Sequence, residues 1–220
     1  AKEWKPTEKG TPQGAVISPL LANIYLNPLD HRMAELGMEM VRYADDFVIL
    51  CSTETEARRA LEAVRIWMEA AGLTLHPTKT RVINAAEPGG FDFLGFHFER
   101  GHHWPREKSV NKLKETIRNQ TKRNNGLSLE TLVKTVNRTL VGWNAYFSHG
   151  AGSIHTPLNR WVRQRFRAIL KRREKHPGVP KGKDLKRWNN AFFERLGLHT
   201  LRVDLQRDRK STRLNSSHGY

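Results

Sequence analysis

The spacing of apolar positions along this chain switches from helical to alternating and back, and each switch marks an element. The segment GTPQGAVISPLLANIYL opens on turn residues, Gly10, Pro12 and Gly14. Ser18 then precedes Pro19, a cap followed by the first-turn proline that helices tolerate. Leu20, Leu21, Ile24 and Tyr25 continue at helical spacing, which predicts a helix closing near Asn27 and Pro28. Alternation takes over in MVRYADDFVIL. Val41 and Tyr43 on one arm and Phe47 to Leu50 on the other predict a β-hairpin, with Ala44, Asp45 and Asp46 near its bend. Thr53 and Glu56 form a capping box for a helix to about Ala71. Its stripe is Ala57, Ala60, Leu61, Val64 and Met68, and Gly72 stops it. LTLHPTKTRVI predicts a short strand, a proline turn and another strand. In GGFDFLGFHF, Phe91, Phe93, Phe96 and Phe98 predict a hairpin kinked at Gly95.

Beyond Gly101 the helical period dominates. KLKETIRNQTKRN predicts a basic helix broken at Gly126, and Ser128 caps a second helix with Leu129, Leu132, Val133, Val136 and Leu140 on one face. That helix runs into GWNAYF. After GAGS a third helix, Leu158 to Arg173, carries basic side chains around Trp161, Phe166 and Leu170. A loop, HPGVPKGKD, leads to a last helix with Trp188, Phe192, Phe193 and Leu196. No internal repeat appears. The pattern is α+β over residues 1–100 and all-α with a basic surface over 101–209, and the small polar residues 210–220 read as a disordered tail, foreign in character.

Charge sharpens this division. Residues 1–100 hold 11 basic and 14 acidic side chains, whereas residues 101–220 hold 27 basic and 8 acidic, net +19. A surplus of that size in half a chain points to a polyanionic partner, most often nucleic acid. A single cysteine, Cys51, excludes an internal disulfide and cysteine-based zinc sites, and following FVIL it reads as a small core residue. No apolar stretch approaches the roughly 18 residues of a membrane span. With no signal peptide in view, an intracellular protein is expected, bacterial cytoplasmic and nucleoid-associated or organellar.

The chemistry concentrates at Asp45 and Asp46. An unpaired buried carboxylate is costly, so two of them inside an apolar run belong at an exposed hairpin tip. Adjacent carboxylates there suit Mg²⁺, a hard cation that prefers oxygen ligands. A pair of such ions about 3.5–4 Å apart can drive phosphoryl transfer. Strand neighbours point to opposite faces, so a third carboxylate must come from elsewhere.

RYADDFVIL resembles the catalytic palm motif of reverse transcriptases. GTPQGAVISPLLANIYL resembles the preceding motif of group II intron reverse transcriptases, and GLTLHPTKTRVI followed by FDFLGF resembles the next two. LVGWNAYF and LKRWNNAFFERLG resemble the thumb, or maturase, region of the same proteins. The resemblance implies a partial palm followed by a helical thumb/maturase domain. It implies Asp45 and Asp46 as metal-binding and catalytic, and Tyr43 and Ala44 near the primer terminus and nascent base pair. It places Gln13 and Gly14 against template and incoming nucleotide. Lys79 falls on a lysine that assists the departing pyrophosphate, or is a surface lysine. Phe93, Leu94 and Gly95 fall on the primer grip, although alternating phenylalanines also serve as plain core.

The cofactor implied is Mg²⁺, two ions. Partners implied are intron RNA, an RNA template with a DNA primer, and deoxynucleoside triphosphates, with no membrane and with a homodimer compatible. Arg160, Arg163, Arg167, Lys171 and Arg172 are the expected RNA-binding cations of the third helix, neutralising phosphates without sequence readout. Trp143, Tyr146, Trp161 and Trp188 lie close to charge, and packing between helices competes with base stacking for each. Two departures temper the enzyme. The family's third aspartate lies upstream of the glutamine loop, and AKEWKPTEKG holds none; the fingers and a Cys/His endonuclease domain are also missing from this sequence. The expectation is therefore a fragment that does not polymerise alone, with a non-catalytic RNA-binding maturase as the alternative. His102-His103 lacks partners at metal spacing and reads as a solvated turn.

Overall fold

In the computed structural model, residues 15–122, 126–150, 152–176 and 178–202 are described. The chain is α+β and divides after Asn84 into two compact units. Gln13, Gly14 and residues 210–220 lie outside the described residues.

The first unit begins with helix α1, Ser18–Glu35. Pro28, expected to close it, sits inside it. An interior proline costs about 3 kcal/mol. Burial of Leu26, Leu29 and Met33 on both sides of the proline offsets that cost. Strands β1, Glu39–Tyr43, and β2, Asp46–Leu50, pair antiparallel with Tyr43 opposite Asp46, so the loop is the two residues Ala44 and Asp45. Helix α2, Glu54–Ala70, starts where the sequence placed its cap: Thr53 Oγ1 accepts from Glu56 N–H, and Ser52 N–H donates to the Glu56 carboxylate. Gly72 follows at φ +66°, a conformation that suits glycine at a helix end. Ala60, Val64 and Met68 of α2 pack with Leu29, Met33 and Met38 as the core, and Cys51 packs beside them. Burial pushes the Cys51 thiol pKa up, and Glu56 adds to the shift.

Residues 73–84 form no strand, although two were expected there. Among the described residues the first sheet contains only β1 and β2, and residues 73–84 pair with neither.

The second unit opens with a three-stranded antiparallel sheet of β3 (Phe91–Phe93), β4 (Phe96–Glu99) and β5 (His102–Pro105). Strands β3 and β4, expected in the first module, form one compact unit with β5 and the helices that follow. The second unit is thus not purely helical. Nor are His102 and His103 a solvated turn. They lie in β5, where the His103 ring stacks on Phe98 at 5.5 Å. Helices α3 (Glu107–Gln120), α4 (Leu129–Phe147) and α5 (His155–Arg173) follow, α5 after a 3₁₀ turn at Gly152–Ile154. Ser128 Oγ caps α4 by accepting from Thr131 N–H. The expected last helix is two short ones, α6 (Gly182–Arg187) and α7 (Asn190–Arg195), with Asn189 capping the second.

The apolar stripes of α3, α4 and α5 meet in one core around Ile117, Leu132, Val136, Leu140 and Phe166, joined by Trp188 and Phe193. The segment after α7 completes it with Leu198 and Leu201. Three asparagines hold that segment by its backbone. The Asn137 and Asn159 amides each accept from one backbone N–H and donate to one carbonyl (His199 and Gly197; Leu201 for both bonds), and Asn144 accepts from Arg202 N–H.

Candidate functional site

The β1–β2 hairpin brings Tyr43, Ala44, Asp45 and Asp46 together at one tip. Tyr43, Asp45 and Asp46 are exposed. Both carboxylates therefore stand in solvent, as the cost of burial requires. Ala44 occupies the left-handed region at φ +54°, uncommon for a residue with a side chain. Its carbonyl accepts from Arg42 Nη1 at 2.8 Å. The Arg42 guanidinium also grips both carboxylate oxygens of Asp30 on α1 and donates to Asn23 Oδ1. The bond to Asp30 raises the Arg42 pKa above its usual value, against an opposing cost of burial.

Oxygen donors at an exposed tip match Mg²⁺ in kind. In number they are two, and among the described residues no group of three or more His, Cys, Asp or Glu side chains comes together to hold a metal. Lys79 lies exposed in a turn of the first unit.

In the second unit, the β3–β4 hairpin has its own two-residue tip, Leu94 at φ +47° and Gly95 at φ +84°. The pairing of left-handed conformations is the usual solution for a tight hairpin. A side chain at Gly95 would also press on Ser109 Oγ at 3.3 Å and on the Phe147 ring at 3.4 Å. Both tip carbonyls are tied inward: Tyr146 Oη donates to Leu94 O at 2.8 Å, and Arg106 N–H and Ser109 Oγ donate to Gly95 O. Phe93 is half-buried, and the Phe96 ring packs on Tyr146 and Phe147.

The five cations expected to meet RNA separate into two groups. Arg160 and Arg172 are exposed and Arg163 is half-buried. Burial lowers the Arg163 pKa. Arg167 is buried at 6% exposure; its Nε donates to Trp188 O, and its guanidinium lies 5.2 Å from the Phe193 ring centre. Lys171 donates to Asp184 at 2.9 Å and to Val179 O, clamping the loop before α6. Asp184 is held below the usual carboxylate pKa by the Lys181 backbone N–H and then by Lys171. Arg167 and Lys171 are thus committed to the fold, because helical spacing turned them inward. Of the aromatic residues, Trp188 is buried, Trp143 packs on Phe147, Trp161 lies under the Arg118 guanidinium at 5.6 Å, and Tyr146 is half-exposed.

Sequence reasoning missed Asp30, Asn23 and Arg42, and also the Tyr146 bond. The signal for Arg42 was available: alternation puts it on the face of β1 opposite Val41 and Tyr43, where an arginine needs a partner.

Comparison with known proteins also divides the chain in two, but groups β3 and most of β4 with the first part. Residues 1–98 match the family model of the reverse transcriptase (RNA-dependent DNA polymerase), and residues 110–189 match the group II intron, maturase-specific domain. The group II intron-encoded protein LtrA of Lactococcus lactis subsp. cremoris is 50% identical over 40 residues, which are 18% of this chain and 7% of LtrA. An uncharacterized 91 kDa protein in the cob intron of Schizosaccharomyces pombe is 24% identical over 34% of this chain and 17% of its own length. The chain thus spans less than a fifth of each of these curated relatives. Along the chain, a match to reverse transcriptases is thus followed by a match to the group II intron, maturase-specific domain, and group II intron-encoded proteins are among the relatives it resembles.

Proposed function

We propose that the chain supplies the catalytic hairpin and the RNA-binding thumb/maturase region of an RNA-directed DNA polymerase that also assists the splicing and retrohoming of its group II intron. The observation that carries this reading is the exposed Asp45–Asp46 pair at a two-residue hairpin tip, in a chain matching both domains in order. A protein that only bound RNA would have no chemical need for that pair.

The first unit acts as part of the palm. Asp45 and Asp46 hold Mg²⁺ with a carboxylate from outside the described residues. When bound, the ions activate the primer hydroxyl and stabilise the leaving pyrophosphate. Tyr43 and Ala44 face the primer terminus, Gln13 and Gly14 the template and incoming deoxynucleoside triphosphate, and Lys79 the departing pyrophosphate. The Leu94–Gly95 tip grips the primer: its carbonyls are tied inward, which fixes the backbone for a phosphate to approach. Arg160, Arg163 and Arg172 remain as the α5 cations that meet intron RNA, by charge and by shape.

The test is Asp45→Asn in a primer-extending protein that contains this chain, with RNA affinity measured in parallel over a salt series. Nucleotide incorporation should fall below detection while RNA affinity stays at the parent value and declines steeply with salt. Equal loss of both activities would sink the two-module reading. Full incorporation by the variant would favour the non-catalytic maturase.

A further inference from the structure

We infer that Arg42, clamped by Asp30, is a positioning residue that fixes the Asp45–Asp46 tip and so governs its hold on a divalent cation; this rests on the polymerase reading above. Nε and Nη2 of Arg42 donate to the two Asp30 oxygens at 2.8 and 2.5 Å, and Nη1 donates to Asn23 Oδ1 at 3.0 Å and to Ala44 O at 2.8 Å. The Arg42 side chain is 10% exposed and that of Asp30 35%. This is not a loose surface pair. A forked guanidinium on a carboxylate is among the stronger polar contacts, and lysine cannot reproduce it.

The target of the fourth bond gives the network its meaning. An ion pair that only stabilised the hairpin could end at Asp30. Here it continues to the carbonyl of the first loop residue, which sits in the left-handed region. The peptide joining Ala44 to Asp45 is planar, so fixing that carbonyl fixes the plane and the point from which the Asp45 side chain departs. Asp30 also cancels the Arg42 charge. The brace therefore adds no net positive field beside two carboxylates that must attract a cation.

Two opposed substitutions in the full chain separate positioning from charge. Arg42→Gln leaves Asp30 unpaired and makes the surroundings more negative, whereas Asp30→Asn makes them more positive. If charge alone mattered, Mn²⁺ affinity would rise in the first and fall in the second. Positioning predicts that both weaken it, by about tenfold, the low end for residues that orient a metal ligand. The probe is Mn²⁺, read by broadening of the Asp45 and Asp46 amide signals. Backbone order parameters at Ala44, Asp45 and Asp46 should drop in both variants from about 0.85 toward 0.6 or below.

Order parameters unchanged in both variants, or affinities moving in opposite directions, would overturn the inference. Parent protein whose Asp45 signal never responds to Mn²⁺ would overturn the metal reading, and the order parameters still decide the brace. Should either variant lose the dispersed core signals of Val64 and Met68, Asn23→Ala replaces it. That change removes one anchor from an exposed helix position, and an unchanged Ala44 order parameter there overturns the inference.

Discussion

Helices α1 and α5 are nearly equal in length, 18 and 19 residues, yet the two units use them in opposite ways. Helix α1 is the more apolar and buries only Leu26, Leu29 and Met33, while Leu20 and Ile24 stay 57% and 63% exposed. Helix α5 is crowded with arginines and still buries Leu158, Val162, Phe166 and Ile169, together with polar Asn159 and Arg167. Composition alone would have ranked them the other way. Burial follows the partners a helix meets: α5 faces α3, α4 and the segment after α7, whereas one side of α1 meets no partner among the described residues. An apolar helix face in water is not stabilising until something covers it.

The sharpest way to break this comparison is a pair of truncations. Phe166→Ala, in the centre of the second core, should cost about 3–5 kcal/mol, and Ile24→Ala on the open side of α1 about 0.5 kcal/mol or less. Denaturant unfolding of the full chain measures both, and comparable losses would mean that α1 is covered after all. Next comes Asn159→Ala. It orphans the backbone N–H and carbonyl of buried Leu201, at about 1–3 kcal/mol for each group left unpaired, and the same unfolding curves should register the loss in the second unit. Below Asn159 come the two caps. Thr53→Ala and Ser128→Ala each remove one N-cap acceptor and should cost about 1 kcal/mol apiece. Thermal melting followed by circular dichroism should find the two losses alike. Capping is local, so unequal losses would show that the units differ in more than their packing.

The elements that were legible in the sequence are those whose signals are local. Thr53, Glu56 and the Ala60–Val64–Met68 stripe specify α2 without reference to the rest of the chain, and Ser128 with its apolar face does the same for α4. The Asp45–Asp46 hairpin was legible because alternation and a charged bend coincide in one short stretch. What stayed hidden depends on distant residues. Strand β5 exists because β4 offers it an edge, and HHWP carries no strand signal of its own. Residues 73–84 have the strand pattern, yet they pair with no strand among the described residues. The inward turn of Arg167 and Lys171 depends on where Trp188 and Asp184 come to lie. The Arg42 brace needs Asn23 and Asp30, about two helical turns apart on a different element.

The asparagine clasp after α7 sets an order of events on the ribosome. Leu198 and Leu201 belong to the same core as Val110 of α3, although some ninety residues separate them. The β1–β2 hairpin can form while the chain is still short, because its strands and the Asn23 and Asp30 partners of Arg42 all lie before residue 51. The core of the basic unit can only close when the strip of backbone after α7 has emerged and been caught by Asn137, Asn144 and Asn159. A nascent chain stalled before Leu198 would expose a strongly cationic, half-built helical core to the abundant RNA around it, so residues 198–202 decide whether the unit meets RNA folded or unfinished.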